Sequence, residues 1–135
     1  MLPLRYTRRW QLAGALFLLI VLVSTLMPAW WFWSELPRAA LFAADKWLHG
    51  ITFALLAIWF SGQYARRSYW RIALGLIVFG LLIEFCQRMV SYRTAEFADL
   101  VADIAGIFAG LAIGALGAGG WSLRFEHWLA AERHS

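Results

Sequence analysis

Apolar runs of near-membrane length, bounded by arginines and tryptophans, constrain this chain more than any other feature. Leu12 to Met27 leads into Trp30, Trp31, Phe32 and Trp33, and Trp47 to Ser61, Ile72 to Phe85 and Phe97 to Leu116 follow. A helix rises 1.5 Å per residue, so about 20 residues cross the roughly 30 Å hydrocarbon layer. The expected fold is all-α: one integral membrane bundle over 1–135 with four transmembrane helices near 12–33, 45–64, 70–90 and 97–117. The short second run needs extension towards Ala44 and Tyr64 to span.

Composition excludes a soluble domain. The chain is 62% hydrophobic and 15% charged, against about 45–50% and about 25% for soluble proteins. The net charge of +4 does not point to nucleic acid, because the basic residues lie between the apolar runs and act as topology signals. Cys86 is the single cysteine, which rules out an intrachain disulfide or a paired-cysteine metal site. Ser24-Thr25-Leu26-Met27-Pro28 offers no Ala-x-Ala cleavage pattern, so the first run reads as an uncleaved anchor.

The arginines set the expected orientation. Arg5, Arg8, Arg9, Arg66, Arg67, Arg71, Arg124 and Arg133 are 8 of the 12 basic residues, and they cluster at the N-terminus, the 62–71 connection and the tail. The positive-inside rule then places both termini in the cytoplasm. The tryptophans at 30, 31 and 33 fit an interfacial belt at the opposite surface.

Four polar clusters interrupt this pattern: Asp45-Lys46 with His49, Glu84 with Gln87-Arg88, Arg93, and Asp99 with Asp103. A charge at a helix centre costs about 2.5–3.5 kcal/mol on insertion scales, so ionisable residues at such depth are functional-site candidates. In the expected topology all of them converge on the outer leaflet. Asp45 and His49, Glu84 and Arg88, and Asp99 and Asp103 are each four apart and share a helix face. Asp103 lies about 6 Å deeper than Asp99 at helical rise and must face a partner rather than lipid. Beyond it Gly106, Gly110 and Gly114 form a small-residue stripe that lets backbones approach, with a neighbour in this chain or in a second copy. A homo-oligomer through that stripe is one expectation.

Asp45-Lys46-Trp47-Leu48-His49 opening one span, Glu84-Phe85-Cys86-Gln87 closing the next, then Arg93, Asp99, Asp103 and Gly106, resembles the VanZ-like family of membrane proteins. The match covers about Ala44 to Gly114. Two departures stand out: Asp103 where the family often carries Asn, and no proline between Gln87 and Arg93. The resemblance implies a bacterial plasma-membrane protein of the cell envelope. The family's namesake is linked to teicoplanin susceptibility.

The candidate catalytic residues are His49, Glu84, Asp99 and Asp103, with His49 or Glu84 as general base and the aspartates to orient it. Asp45, Lys46, Gln87, Arg88 and Arg93 are the candidate binding residues, the cations suiting a phosphate or carboxylate on an anionic lipid or a lipid-linked envelope precursor. Bland roles stand beside these: Asp45 as a helix cap, and Glu84 paired structurally with Lys46 or Arg93. No zinc signature occurs, and no metal or cofactor is assigned; hard oxygen ligands at Glu84, Asp99 and Asp103 with His49 would suit Mg or Ca. The residues leave open whether the bundle is an enzyme, a binding protein or a non-catalytic bundle whose polar network holds helices together or supports a partner.

Overall fold

The computed structural model describes residues 1–27, 37–90 and 96–132. Among these the chain is helical and without strands: α1 (Thr7–Leu26), α2 (Arg38–Ser61), a 3-10 turn (Arg66–Ser68), α3 (Tyr69–Arg88), α4 (Phe97–Ile113) and α5 (Trp121–Glu132). Among the described residues three segments are long and apolar enough to cross a membrane: Thr7–Leu26, Arg66–Arg88 and Phe97–Ala118. The 24-residue α2 has the length, about 36 Å at helical rise, but Asp45, Lys46 and His49 depress its hydropathy. Three helices therefore qualify by length and composition where four were expected. The tryptophans at 30, 31 and 33 lie outside the described residues.

Burial is inverted relative to a soluble protein. Leu12, Leu16, Leu19, Leu74, Val78, Val101 and Phe108 are exposed along the outer faces of α1, α3 and α4. His49, Glu84, Gln87, Asp99 and Asp103 are all buried. Lipid as solvent accounts for both facts: hydrocarbon costs nothing to leave on the outside, whereas polar groups must find partners within. The apolar core is small, built around Phe53, Leu56, Ala57, Leu76, Ile83, Ile107 and Leu111.

The axis of the bundle is the α2–α4 pair. A β-carbon at Gly106 would run into the Gly50 carbonyl, one at Gly110 would meet the Ala54 carbonyl, and one at Gly114 would lie 2.6 Å from Ser61 Oγ. The contacts advance in the same direction on both helices, so α2 and α4 run parallel. Backbones this close gain dispersion contact that lipid cannot supply. The glycine stripe is thus filled by α2 of the same chain, and the oligomer surface expected at Gly106, Gly110 and Gly114 is already occupied.

Two helix starts differ from expectation. α1 begins at Thr7 rather than near residue 12, and α2 begins at Arg38 rather than near residue 45. Asp45 therefore lies two turns inside α2 and does not cap it; the cap position is Pro37, without a side-chain hydrogen bond.

The tail forms a helix that the hydropathy pattern did not announce. α4 widens into a turn at Gly114–Ala118, and Gly120, at φ 70°, redirects the chain into α5. That left-handed conformation suits glycine, which has no Cβ to clash. α5 then packs over the N-terminus: Glu126 accepts from the backbone N–H of Arg5 (2.7 Å) and Tyr6 (3.1 Å) and from Trp10 Nε1 (2.7 Å). Trp10, Trp59 and Trp121 meet tilted or edge-to-face, with ring centroids 5.3–5.8 Å apart. Ser122 Oγ donates to the Gly62 carbonyl, and the Gly120 N–H to that of Ser61. One end of the bundle is thereby closed by local polar and aromatic contacts, and Arg5, Arg8, Arg9, Arg66 and Arg67 gather at that end.

Candidate functional site

The opposite end carries the polar cluster. α2, α3 and α4 each bring residues one turn apart: Asp45 and His49 from α2, Glu84 and Gln87 from α3, Asp99 and Asp103 from α4. The close α2–α4 seam sets the register between the first and last pairs. His49 Nδ1 lies 2.9 Å from Asp103 Oδ1, with both side chains buried. One turn nearer the surface, Lys46 Nζ donates to Glu96 Oε2 at 2.8 Å and to Asp99 Oδ1 at 3.2 Å.

The third helix closes the cluster from the side. A β-carbon at Gly80 would lie 3.0 Å from Asp103 Oδ2, so the absent side chain at Gly80 makes the space that this carboxylate occupies. Glu84, one turn further along α3, is 7% exposed, and its Oε1 has no hydrogen-bond partner. Gln87 Nε2 donates to the Thr25 carbonyl at 3.1 Å and so ties α3 to α1. His49 Nε2, Gln87 Oε1 and Asp103 Oδ2 are also buried without a partner. Buried polar atoms are rarely left so, and four of them lie together in this cluster.

Among the expected site residues, His49, Asp99, Asp103, Glu84, Gln87, Asp45 and Lys46 share this end of the bundle. Arg88 does not join them: it is exposed at the end of α3 and forms no ion pair with Glu84. Arg93 lies outside the described residues. Lys46 pairs with Glu96 and Asp99, not with Glu84, because α4 and not α3 runs beside α2 at that level. Sequence reasoning missed Glu96, Gly80 and Thr25. Gly80 carried a usable signal, standing four residues before Glu84 and hence on its face. Glu96 and Thr25 carried none, since an acid in a connection and a threonine carbonyl are ordinary at a membrane surface.

Two further features bear on chemistry. Asp45, His49 and Asp99 each offer a ligand atom, and the three atoms lie within 4.8 Å of one another. Beside them, on the lipid-facing side of the α2–α4 seam, a furrow of about 450 Å³ runs from Lys46 and Trp47 past Gly50 and Ala54 to Ala105 and Ala109. The small residues that let the helices touch also leave this furrow open. Among the described residues no serine, threonine or cysteine bonds to His49, and no nucleophile–base pair of the hydrolase kind is assembled from them.

No curated protein and no solved structure matches the chain. A family model described as VanZ/LLP1 matches residues 2–117, which takes in α1 to α4 and stops just before α5. With its apolar helices and the polar cluster among them, this chain belongs to the VanZ/LLP1 family, as a cell-envelope membrane protein related to VanZ.

Proposed function

We propose that the protein is a plasma-membrane binding protein for an amphiphilic, phosphate-bearing envelope molecule, either an anionic lipid or a lipid-linked precursor. The observation that carries this reading is the furrow: an apolar channel of about 450 Å³ opening to lipid, with Lys46 at its head and the polar cluster alongside. Ligand pockets fall at about 300–1,000 Å³, with apolar walls and a few placed polar groups. A hydrocarbon tail fits the Gly50–Ala109 walls, and a headgroup fits the level of Lys46 and Asp99.

In this reading α2 is a fourth span and both termini face the cytoplasm, which puts the polar end at the outer leaflet. The arginine-rich end formed by Arg5, Arg8, Arg9, Arg66 and Arg67 supports that orientation. Binding is the reading that the furrow supports directly; among the described residues His49 meets Asp103 and no nucleophile.

The test is mass spectrometry of lipids that co-purify with the full chain in mild detergent. Wild type is expected to retain one phosphate-bearing class enriched over bulk membrane composition. Ala105→Trp, which fills the furrow from its exposed side, is expected to lose the enrichment at unchanged folded yield. Lipids in bulk proportion with wild type would leave the cluster as structural glue, a role the Lys46 and His49 pairs already fit.

A further inference from the structure

We infer that the polar end of the bundle binds a divalent cation on Asp45, His49 and Asp99, with Asp103 positioning the imidazole. This deepens the lipid reading, because the ion would supply the positive charge for a phosphate headgroup; the ion's protein ligands stand independently of it.

The geometry is the first support. The three donor atoms lie within 4.8 Å of one another. At metal–ligand bonds of 2.0–2.2 Å, two donors on one ion stand roughly 3–4.4 Å apart, so side-chain adjustment alone closes the set. Asp45 and His49 come from one face of α2 and Asp99 from α4, and the glycine seam locks those two helices together. Donors on rigid, tightly packed helices keep their spacing better than donors on loops.

The imidazole is the second, independent support. His49 is 4% exposed, its Nδ1 is held by Asp103 Oδ1 at 2.9 Å, and its Nε2 has no partner. A carboxylate on one ring nitrogen that fixes the tautomer and leaves the other nitrogen for a metal is the usual second-shell arrangement of metal-binding histidines. Among the described residues nothing else satisfies Nε2.

Donor chemistry is the third support: Asp45 and Asp99 bring two carboxylates beside the buried imidazole of His49. Lys46 makes its shorter contact with Glu96 and its longer one with Asp99, so the ammonium competes only in part for that carboxylate. One imidazole and two carboxylates suit Zn²⁺ or Mn²⁺ better than Mg²⁺ or Ca²⁺, which prefer oxygen throughout. Glu84 is left outside the donor set.

The experiment uses the full chain in detergent, stripped with chelator and desalted, and titrated with Mn²⁺ followed by electron paramagnetic resonance, with Zn²⁺ as competitor. One saturable Mn²⁺ per chain, displaced by Zn²⁺, is expected. Asp45→Asn is expected to weaken binding at least tenfold, and His127→Gln, at an exposed position on α5, to leave it unchanged. His49→Gln should bind no ion; if that variant does not fold, the affinity of Asp45→Asn decides the matter. No saturable binding by folded wild type, or wild-type affinity in Asp45→Asn, overturns the proposal. Lipid analysis of the same stripped samples separates the two readings. Ion binding without lipid enrichment keeps the cation and removes the lipid, and enrichment without ion binding does the reverse.

Discussion

His49 and Asp103 meet across the α2–α4 seam with Nδ1 2.9 Å from Oδ1, and the two side chains are 3% and 0% exposed. Neither can turn to water, so each depends on the other for its polar contact. Asp103→Ala would leave the imidazole buried and unpaired, at a cost of about 1–3 kcal/mol. Asp103→Asn keeps an oxygen of the same shape in place. Thermal melts in detergent should therefore show a clear loss for Asp103→Ala and a smaller one for Asp103→Asn. Equal losses would mean that the carboxylate's charge, not its hydrogen bond, holds His49.

The seam itself predicts a contrast between glycines. Gly106→Val drives its β-carbon into the Gly50 carbonyl and should abolish folded, monodisperse protein on size exclusion. Gly75 meets nothing within 4 Å. Gly75→Ala should be neutral or should stabilise by about 0.5–1 kcal/mol, through the backbone entropy of glycine in a helix. A folded Gly106→Val protein would contradict the close α2–α4 approach.

Glu126 links stability to pH at the other end. Burial pushes its carboxyl up, but the Arg5 N–H, the Trp10 indole and the Tyr6 N–H outweigh that and hold it below the ordinary carboxylate value of 4.5. A group depressed on folding contributes stability above its unfolded pKa and loses that contribution as pH falls through the folded value. The gap in melting temperature between wild type and Glu126→Gln should thus be full at pH 6–7 and shrink at pH below about 4.5. A gap that widens on acidification would reverse the sign of this coupling.

Orientation is open to chemical labelling. Met89 is 76% exposed at the end of α3 beside the polar cluster, and Arg67 is exposed at the opposite end. In a Cys86→Ala background, Met89→Cys should react with a membrane-impermeant maleimide on intact cells. Arg67→Cys should react only after permeabilisation. The opposite pattern would put the polar end in the cytoplasm.

Much of this was legible in advance because membrane chemistry is one-sided. Asp45, His49, Glu84, Gln87, Asp99 and Asp103 are conspicuous in apolar runs, and helical spacing alone puts each pair on one face. Which residue pairs with which was not legible. Lys46 is expected beside Glu84, and only the parallel course of α2 beside α4 puts it on Asp99 instead. Arg88 reads as a site cation by its distance of four from Glu84, yet its side chain leaves the bundle. α5 was invisible because it is too short for a membrane run, and its Trp121 and Phe125 pack on Trp10 and Trp59, which are distant in sequence.

Residue types along the chain already dictate an all-helical protein suited to lipid with its charges hidden inside, since both follow from the cost of polar groups in hydrocarbon. The glycine stripe likewise requires that some backbone come close. That this backbone is α2, that Asp103 holds His49, and that Gly80 makes room for Asp103 Oδ2 emerge from packing. Those outcomes depend on contacts between residues far apart along the chain. Local periodicity records which face of a helix is special, and packing alone records what that face meets.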